Sequence, residues 1–482
     1  MKFLHPEHDQ HLELSLDDVF ILPQFHSGQS RLNVNLTPLD GLGGAHPLVS
    51  ANMNAVTGKR MAETMARFGG LGILPQDMDL STVERIVASI KTSNIHYDTP
   101  LTVTSDATLR DVLGIIRKRS HDLVVVVDQE HRVLGIISHA DLRDKDQYTS
   151  ASLLMSKSLV KLRAGVSNRE AFNQLMEHRV KGAPVVDKSG QLIGVLTRDD
   201  SIRTDILTPN LDTNQRFKIG AAVGISADAA EQAEFLVKIG VDHILLDTAH
   251  GHQKRMLDAI KDVRKAIGPS TAIIAGNVCT RDGTLALLEA GADIAKVNVG
   301  PGAMCTTRMQ TGVGRPTFTS AKICAEAALS VNKYIWADGG VRHGRDAALY
   351  LAAGAGRVMV GTTFAGTFES PGDIKEDKDG RLFKENYGMA SARAVRYRNS
   401  TLDPFEQAKK ALFKEGISNS RIYLRQGEEC IGSIITNFIT GIQSALTYTG
   451  SSDLKNFHQD VTVGVQTASG FHEGTPHGKV RN

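Results

Sequence analysis

One cysteine in a glycine-rich segment carries the strongest chemical signal in this 482-residue chain. Cys305 lies three residues after the sequence Gly300-Pro301-Gly302, and Thr307 and Arg308 follow it. Glycine permits tight turns that expose backbone groups to a ligand, and a thiol on such a loop can act as a nucleophile. The alternative interpretation is a small cysteine packed in an ordinary loop.

Further chemically capable groups follow apolar, strand-like runs in the same half of the chain. Asp247 and Thr248 follow one run, Asp338 and Gly340 follow another, and Gly361 with Thr362 follows a third. Backbone amides of such glycines suit the binding of phosphate. Asp-Gly-Gly is also a common turn sequence, so a purely structural role for Asp338 is the alternative.

The elements that must position these groups alternate along the chain. Apolar runs such as 243–246, 272–275 and 334–337 are separated by helix-like stretches such as 228–239 and 284–290. This rhythm predicts a parallel sheet with helical crossovers. Both a closed (β/α)₈ barrel and an open, doubly wound sheet fit the rhythm.

An internal repeat interrupts this pattern. The segment Val133–Asp141 matches Leu192–Asp200, 59 residues further on, and each copy follows an apolar, β-branched run. Each unit is predicted to contain strand, helix, strand, turn, strand and helix. Ser138 with Asp141, and Thr197 with Asp200, occupy matching positions, and helix N-capping is the ordinary role of such residues.

Bulk composition excludes several functional classes. The 55 basic and 53 acidic side chains leave a net charge of +2, so neither a nucleic-acid surface nor a membrane surface is indicated. No apolar run reaches the length of about 20 residues that spans a bilayer, and the N-terminus lacks a signal-peptide core. The four cysteines fit a reducing, cytoplasmic location; they are Cys279, Cys305, Cys324 and Cys430.

The cysteine loop and several other motifs resemble those of the IMP dehydrogenase/GMP reductase family. The further matches are 51–57, 338–342, 366–372 and the segment opening at Tyr387. The resemblance implies a TIM barrel formed by residues 1–93 and 207–482, and attack of Cys305 on the purine C2 of GMP or IMP. It also implies hydride exchange between C2 and a nicotinamide cofactor.

Residue roles follow from this resemblance position by position. It implies that Cys305 is the nucleophile and that Thr307 and Glu415 form a proton relay. Glu428 or Glu429 is the alternative for the glutamate of the relay, and Glu415 would then be a solvated carboxylate at a helix end. The implied substrate ligands are Asp338 for the ribose, Gly340, Gly361 and Thr362 for the phosphate, and Gly388, Met389 and Ala390 for the purine. Asp247 and Thr248 would face the nicotinamide, and Gly300, Gly302 and Cys305 would offer carbonyls to K⁺.

The repeat resembles a pair of cystathionine-β-synthase-type (CBS) modules over residues 94–206, inserted into a βα connection of the barrel. By that likeness Ser138, Asp141, Thr197 and Asp200 would bind ATP or GTP and regulate the enzyme. The resemblance further implies a homotetramer that pairing of the modules could double to an octamer.

The direction of the reaction rests on finer features. Dehydrogenases of the family use an Arg-Tyr pair on a flap to activate water, but Arg396-Tyr397 comes only six residues after Ala390. Thr447 precedes Tyr448 as in the reductases. Separately from the direction, Ala303 departs from the family pattern, because it replaces a serine that commonly helps to bind phosphate. The chain resembles an actinobacterial type of GMP reductase with CBS modules, which uses NADPH. An NAD-dependent IMP dehydrogenase is the alternative, and a non-catalytic nucleotide sensor is a further one.

Overall fold

Eight parallel strands close into a barrel in the computed structural model, which describes residues 1–5, 7, 12–26, 28, 30–386, 403–412 and 420–476. The barrel strands are β1 (Leu48–Ser50), β2 (Leu71–Leu74), β3 (Gly220–Val223), β4 (His243–Asp247), β5 (Ala272–Val278), β6 (Ile294–Val297), β7 (Tyr334–Asp338) and β8 (Ala355–Val360). Strand β8 pairs with β1, and β2 pairs with β3 across the interruption. The predicted barrel is confirmed, and the open sheet is excluded.

Helices surround this barrel. They are α1 (Lys59–Arg67), α2 (Leu80–Lys91), α3 (Ala229–Lys238), α4 (Lys254–Ile267), α5 (Arg281–Glu289), α6 (Thr317–Leu329), α7 (Gly344–Ala352) and α8 (Ile431–Tyr448). Helix α4 illustrates the pattern, since its buried residues Met256, Ala259, Ile260 and Val263 recur on one face. Among the described residues, no helix combines the length and apolarity needed to cross a membrane.

A buried ionic cluster seals one end of the barrel. Asp40, in the loop before β1, accepts hydrogen bonds from Arg357 Nε at 2.6 Å and from Trp336 Nε1 at 2.8 Å. The side chains of Asp40 and Arg357 are fully buried. Because the segment before β1 enters at the amino ends of the strands, this end is closed and the carboxyl ends remain for a site.

Smaller elements complete the chain around the barrel. One sheet joins Lys2–Phe3, Val19–Ile21 and Thr462–Val465, and another joins Lys375–Glu376, Leu382–Asn386 and Ser420–Tyr423. Further α-helices of the described residues outside the repeat are Thr307–Thr311, Thr362–Ala365, Pro404–Leu412, Leu454–Asp460 and Ala468–Glu473. Short 3₁₀ turns lie at Leu16–Asp18 and Arg31–Asn33.

Both copies of the repeat lie between α2 and β3 and are built alike. Their strands are Leu101–Thr104, Leu123–Val127 and Val133–Ser138 in the first copy, and Leu162–Arg163, Gly182–Val186 and Leu192–Thr197 in the second. Their helical segments are Leu109–Ile115, Ile116–Lys118, His139–Leu142 and Ala151–Leu154, then Asn168–Glu177 and Arg198–Ile206. In each copy the middle strand pairs parallel with the first and antiparallel with the third.

The insertion point differs from the expected one. Helix α2 is capped at its start by Asp79 and buries Val83, Val87 and Ile90, so it completes the β2 unit before the chain leaves the barrel. The insert therefore occupies an αβ connection, and the prediction of a βα connection was wrong. Apolar faces of the two copies then pack on each other through Leu123, Val125, Val133 and Val195, apart from the barrel core.

Both ends of the insert meet the same turn of α1, which makes its removal testable. The Asn94 carbonyl accepts from Arg67, and the Asn210 amide donates to the Ala66 carbonyl at 2.8 Å. Replacing residues 94–206 with a short Gly-Ser linker should therefore leave a folded barrel, because closing neighbouring ends costs little entropy. Circular dichroism should show a cooperative thermal transition, and a chain without such a transition would contradict this prediction.

Candidate active site

A cavity of about 1020 Å³ opens at the carboxyl ends of the barrel strands. Every strand supplies lining residues at or just beyond its carboxyl end: Ala51–Met53, Gln76, Gly224–Ile225, Asp247–Ala249, Asn277, Asn298–Cys305, Asp338–Arg342 and Gly361–Thr363. A volume of this size exceeds that of most single small-molecule sites, which span about 300–1,000 Å³. The cavity can therefore accommodate two ligands side by side.

A buried lysine forms the floor of this cavity. Lys296 Nζ lies 2.6 Å from Asp338 Oδ2 and 3.0 Å from Asp247 Oδ1, and its side chain is only 3% exposed. Burial disfavours the ammonium form, but the two carboxylates outweigh that effect and raise the pKa of Lys296 above its usual value. The lysine therefore stays charged at neutral pH and fixes both carboxylates.

Amide side chains hold the same carboxylates from the outside. Asn52 Nδ2 donates to Asp247 Oδ2 at 2.9 Å. Asn277 Nδ2 donates to Asp338 Oδ2 at 3.1 Å and to the Asn298 carbonyl at 2.8 Å. A carboxylate oxygen has two lone pairs. Asp338 Oδ2 already accepts from both Lys296 and Asn277, whereas Asp338 Oδ1 and both oxygens of Asp247 can still accept from a ligand hydroxyl or amide.

The cysteine loop is shaped by backbone that favours glycine. At Gly300 φ is +91°, and a Cβ there would lie 2.3 Å from Arg308 Cγ, so a side chain would collide with the loop's own arginine. The Cys305 amide donates to the Gly302 carbonyl at 2.9 Å and closes a turn. This turn presents the Cys305 thiol to the cavity.

The thiol has a hydroxyl partner. Cys305 Sγ donates to Thr307 Oγ1 at 3.2 Å, and Thr307 begins the short helix Thr307–Thr311. Cys324 offers a contrast, because its thiol lies in the barrel core and burial raises its pKa to about 12. Cys305 instead lines the cavity, where a substrate can reach it.

Glycines also shape the side of the cavity that suits an anion. Gly339 and Gly340 have φ of +86° and +74°, and a Cβ on Gly339 would lie 2.9 Å from Pro301 Cγ. Gly361 precedes the one-turn helix Thr362–Ala365 and accepts from its amides. Bare backbone therefore faces the cavity at both turns.

The structure brings together the predicted barrel-site residues that it describes, whereas the four predicted residues of the repeat lie in the insert. Those that line the one cavity are Gly300, Gly302, Cys305, Thr307, Asp247, Thr248, Asp338, Gly340, Gly361 and Thr362. Glu415, Gly388, Met389 and Ala390 lie outside the described residues. Of the fallback glutamates, Glu428 accepts from Asn437 at 2.7 Å, and the Glu429 carbonyl accepts from the Phe368 amide. Neither of them is among the cavity-lining residues in the described part of the chain.

The matching residues of the repeat adopt capping geometry. Ser138 Oγ donates to Asp141 Oδ2 at 2.6 Å. Thr197 Oγ1 donates to Asp200 Oδ2 at 2.8 Å and accepts from the Asp200 amide at 3.0 Å. The structural role that the sequence suggested is thus present in both copies, and capping is compatible with ligand binding.

Sequence reasoning named no role for Lys296, Asn52 or Asn277. Asn52 lies within the motif 51–57, Asn277 follows the apolar run 272–275, and Lys296 lies in another strand-like run of the same kind. The available signal was the lysine itself, since a charge inside the run Ile294–Val297 must have a buried partner in a barrel strand.

Comparison with known proteins agrees with this geometry. The family profile described as IMP dehydrogenase / GMP reductase domain matches residues 13–477. A GMP reductase of Mycobacterium tuberculosis is 46% identical over 476 residues and 99% of each chain. An inosine-5′-monophosphate dehydrogenase of Aquifex aeolicus is 35% identical, over 96% of this chain and 95% of that one.

A solved structure shares the architecture. The GMP reductase of Trypanosoma brucei, in a variant bound to guanosine 5′-monophosphate, matches with a TM-score of 0.68 and 29% identity. The match covers 97% of this chain and 98% of the trypanosomal one. Profile, relatives and fold agree over nearly the full length, and the chain belongs to the IMP dehydrogenase/GMP reductase family of oxidoreductases.

Proposed function

We propose that this chain is a GMP reductase, which converts GMP to IMP and ammonia at the expense of NADPH. One observation carries the proposal: the thiol of Cys305 is hydrogen-bonded to Thr307 and lines the same cavity as Asp338. The greater identity to mycobacterial GMP reductase than to the dehydrogenases supports the reductive direction.

The substrate would lie across the floor of the cavity. Asp338 accepts from the ribose hydroxyls while Lys296 and Asn277 hold its carboxylate in place. The backbone at Gly340, Gly361 and Thr362 binds the 5′-phosphate, because glycine lets the phosphate approach the main chain. Ala303 offers no hydroxyl there, so backbone groups supply more of the phosphate contacts. Gly388, Met389 and Ala390 would line the purine.

The chemistry begins at the thiol. Cys305 loses its proton through Thr307 to Glu415, and Sγ forms a bond to C2 of the purine. The bond from C2 to the exocyclic nitrogen breaks as the relay returns a proton to that nitrogen, and ammonia leaves. NADPH, when bound, supplies the hydride that reduces C2. The C–S bond then breaks, which releases IMP and regenerates the thiolate.

The residues beside β4 fit the nicotinamide. Asp247 is fixed by Asn52 and Lys296, and the Thr248 amide donates to the Gly276 carbonyl at 2.9 Å. This anchored edge adjoins the cysteine loop in a cavity with room for a second ligand. K⁺ on the carbonyls of Gly300, Gly302 and Cys305 is part of the proposal, and Gly302 already accepts from the Cys305 amide.

We further propose that residues 94–206 are a tandem CBS domain between barrel parts 1–93 and 207–482. ATP or GTP would bind at Ser138 with Asp141 and at Thr197 with Asp200, and would bias the activity or assembly of a cytoplasmic homotetramer or octamer. Regulation requires that the nucleotide bind two states of the protein with different affinities.

The second candidate is IMP dehydrogenase, favoured by relatives 33–36% identical over nearly the whole chain. One assay separates the candidates. Purified protein is mixed with GMP and NADPH, or with IMP and NAD, and absorbance of the reduced nicotinamide is followed. The reductase consumes NADPH, the dehydrogenase produces NADH, and a nucleotide sensor would do neither.

Removing the nucleophile should separate chemistry from binding. Cys305→Ser should lower turnover to below about one thousandth of wild type, because the covalent bond to C2 can no longer form efficiently. Calorimetry should still detect binding of IMP, because the ribose and the phosphate of IMP contact residues other than Cys305. Cys324→Ser is the matched control in the core, and turnover of Cys305→Ser within a few-fold of wild type would contradict the proposal.

The proton relay makes a prediction about one step only. Glu415→Gln should slow deamination about 10²-fold or more and slow hydride exchange with IMP much less, because deamination uses the relay at both the thiol and the departing nitrogen, whereas hydride exchange uses it only at the thiol. Single-turnover oxidation of NADPH with GMP measures the rate of deamination. Exchange of hydride between IMP and the nicotinamide measures the rate of hydride transfer. Glu428→Gln and Glu429→Gln are the matched controls, and loss of deamination in either one instead would transfer the role to it.

The buried lysine should affect both stability and binding. Lys296→Met leaves Asp247 and Asp338 without their cation, so we expect the free energy of unfolding to fall by about 3–5 kcal/mol. IMP affinity should fall as well, because Asp338 loses its anchor. Urea denaturation and calorimetry measure the two effects. Lys254→Met is the control: it breaks an ion pair on α4 in which the lysine side chain is 87% exposed, and it should leave the free energy of unfolding and the affinity for IMP nearly unchanged.

A further inference from the structure

A buried ionic junction joins the insert to barrel helix α1. Glu63, on α1, accepts from Arg119 of the insert at 2.5 Å and from Arg67 of its own helix at 2.5 Å. Arg119 also binds Asp98 at 2.6 Å. The side chains of Glu63, Arg67 and Arg119 are at most 3% exposed. Charges withdrawn from water to this extent are strongly destabilised when a partner is removed, so the junction favours one docked arrangement.

The second copy of the repeat is tied to the barrel at the turn that carries Asp200. Asp200 Oδ1 lies 2.8 Å from Arg203, and Arg203 donates to Ser433 Oγ on α8 at 3.1 Å. The same guanidinium lies over the ring of Phe68, 6.0 Å from its centroid, at the end of α1. Thr197 and Asp200 are consequently buried in the docked arrangement.

Little space remains between these surfaces. The cavity there has a volume of about 10 Å³, with Thr64, Arg67 and Phe68 on the barrel side and Asp98 and Asp200 on the insert side. This is about the space for one water molecule. A purine nucleotide therefore cannot reach Asp200 while the insert is docked.

The matching surface of the first copy is open. Ser138 and Asp141 are only half-buried. Arg117 donates to His139 at 3.1 Å beside them, so a cation and an aromatic ring lie next to the turn. Two surfaces related by the repeat thus have different surroundings: one faces solvent, and the other is covered by the barrel.

We propose that barrel helices α1 and α8 compete with a purine nucleotide for the Thr197–Asp200 surface. In the docked arrangement ATP or GTP binds only at Ser138 and Asp141, and a nucleotide at Asp200 requires the insert to leave the barrel. The inference rests on the nucleotide binding proposed above. A nucleotide at Asp200 would bind only the undocked state. Because its affinities for the docked and undocked states differ, it would shift the population toward the undocked state.

The test isolates the covered surface. Asp141→Ala removes the open site, and ATP and GTP are then titrated calorimetrically into the full chain. Adding Glu63→Gln weakens docking from the barrel side, away from the nucleotide surface. The apparent Kd should then fall at least about fivefold, since the fraction of competent protein rises. Glu84→Gln, at an exposed position of the neighbouring helix α2, is the matched control and should leave the Kd unchanged.

A gentler variant guards against misfolding of Glu63→Gln. Ser433→Ala removes the hydrogen bond from Arg203, together with the contact between Ser433 Oγ and Cys430 Sγ, and should shift the Kd in the same direction by about twofold. The rate of alkylation of Cys430 is a direct readout of whether the insert is docked. Cys430 lies beside Ser433, and burial raises the pKa of its thiol. Peptide mass spectrometry should show faster labelling when ATP or GTP is added to the Asp141→Ala protein.

The outcomes distinguish the two proposals. The competition is overturned if Glu63→Gln and Ser433→Ala leave the Kd for the nucleotide unchanged and the nucleotide leaves the labelling of Cys430 unchanged. The proposed nucleotide binding itself would survive that result. If the wild-type chain binds neither ATP nor GTP, the proposed nucleotide regulation fails, and the competition fails with it. Tighter binding in both variants with faster labelling of Cys430 supports the competition.

Discussion

The contact of Lys296 with Asp247 and Asp338 is the constraint around which the site is arranged. The three side chains come from β6, β4 and β7, and only a closed barrel brings those strand ends to one point. Withdrawing an ammonium group and two carboxylates from water is costly unless their geometry and hydrogen bonds are complete. Asn52 and Asn277 complete them, so the floor of the cavity is rigid before any ligand binds.

This floor explains how the ligand chemistry divides across the cavity. A carboxylate held by a cation remains an acceptor, which suits sugar hydroxyls, whereas a phosphate needs donors without acidic neighbours. The glycine turns at Gly340 and Gly361 provide bare backbone at the wall of the cavity. The loop beginning at Gly300 presents Cys305 to the same cavity. In the proposed binding mode, a nucleotide held by its phosphate and its ribose would extend its base toward the thiol, and such positioning contributes much of the rate in a covalent mechanism.

Strand ends were the part of the site that the sequence could predict. Apolar runs followed by Asp247, Asp338 or Gly361 indicate where barrel strands stop, and parallel strands bring their carboxyl ends together. Lys296 was overlooked because a lysine within an apolar run reads as an interruption, and its partners come from strands about 45 residues away on either side. The place of the insert was mispredicted because a repeat boundary does not reveal which barrel element precedes it. Asp200 is buried where its partner Arg203 meets the distant residues Phe68 and Ser433 of the barrel, and no local pattern encodes these contacts.

Helix α1 links the junction with the insert to the segment that holds Asp247. The segment before it carries Asn52, which holds Asp247, and Thr57 ties that segment to the Ala51 carbonyl at 2.7 Å. The helix then runs for nine residues, about 13 Å, and ends at the junction formed by Glu63 and Arg67. A helix transmits displacement along its length because its backbone hydrogen bonds resist bending. Release of the insert would therefore act, through this helix and the side chain of Asn52, on Asp247, the carboxylate proposed to face the nicotinamide. The fold thus connects the covered Thr197–Asp200 surface to the cavity through one helix and the segment that precedes it.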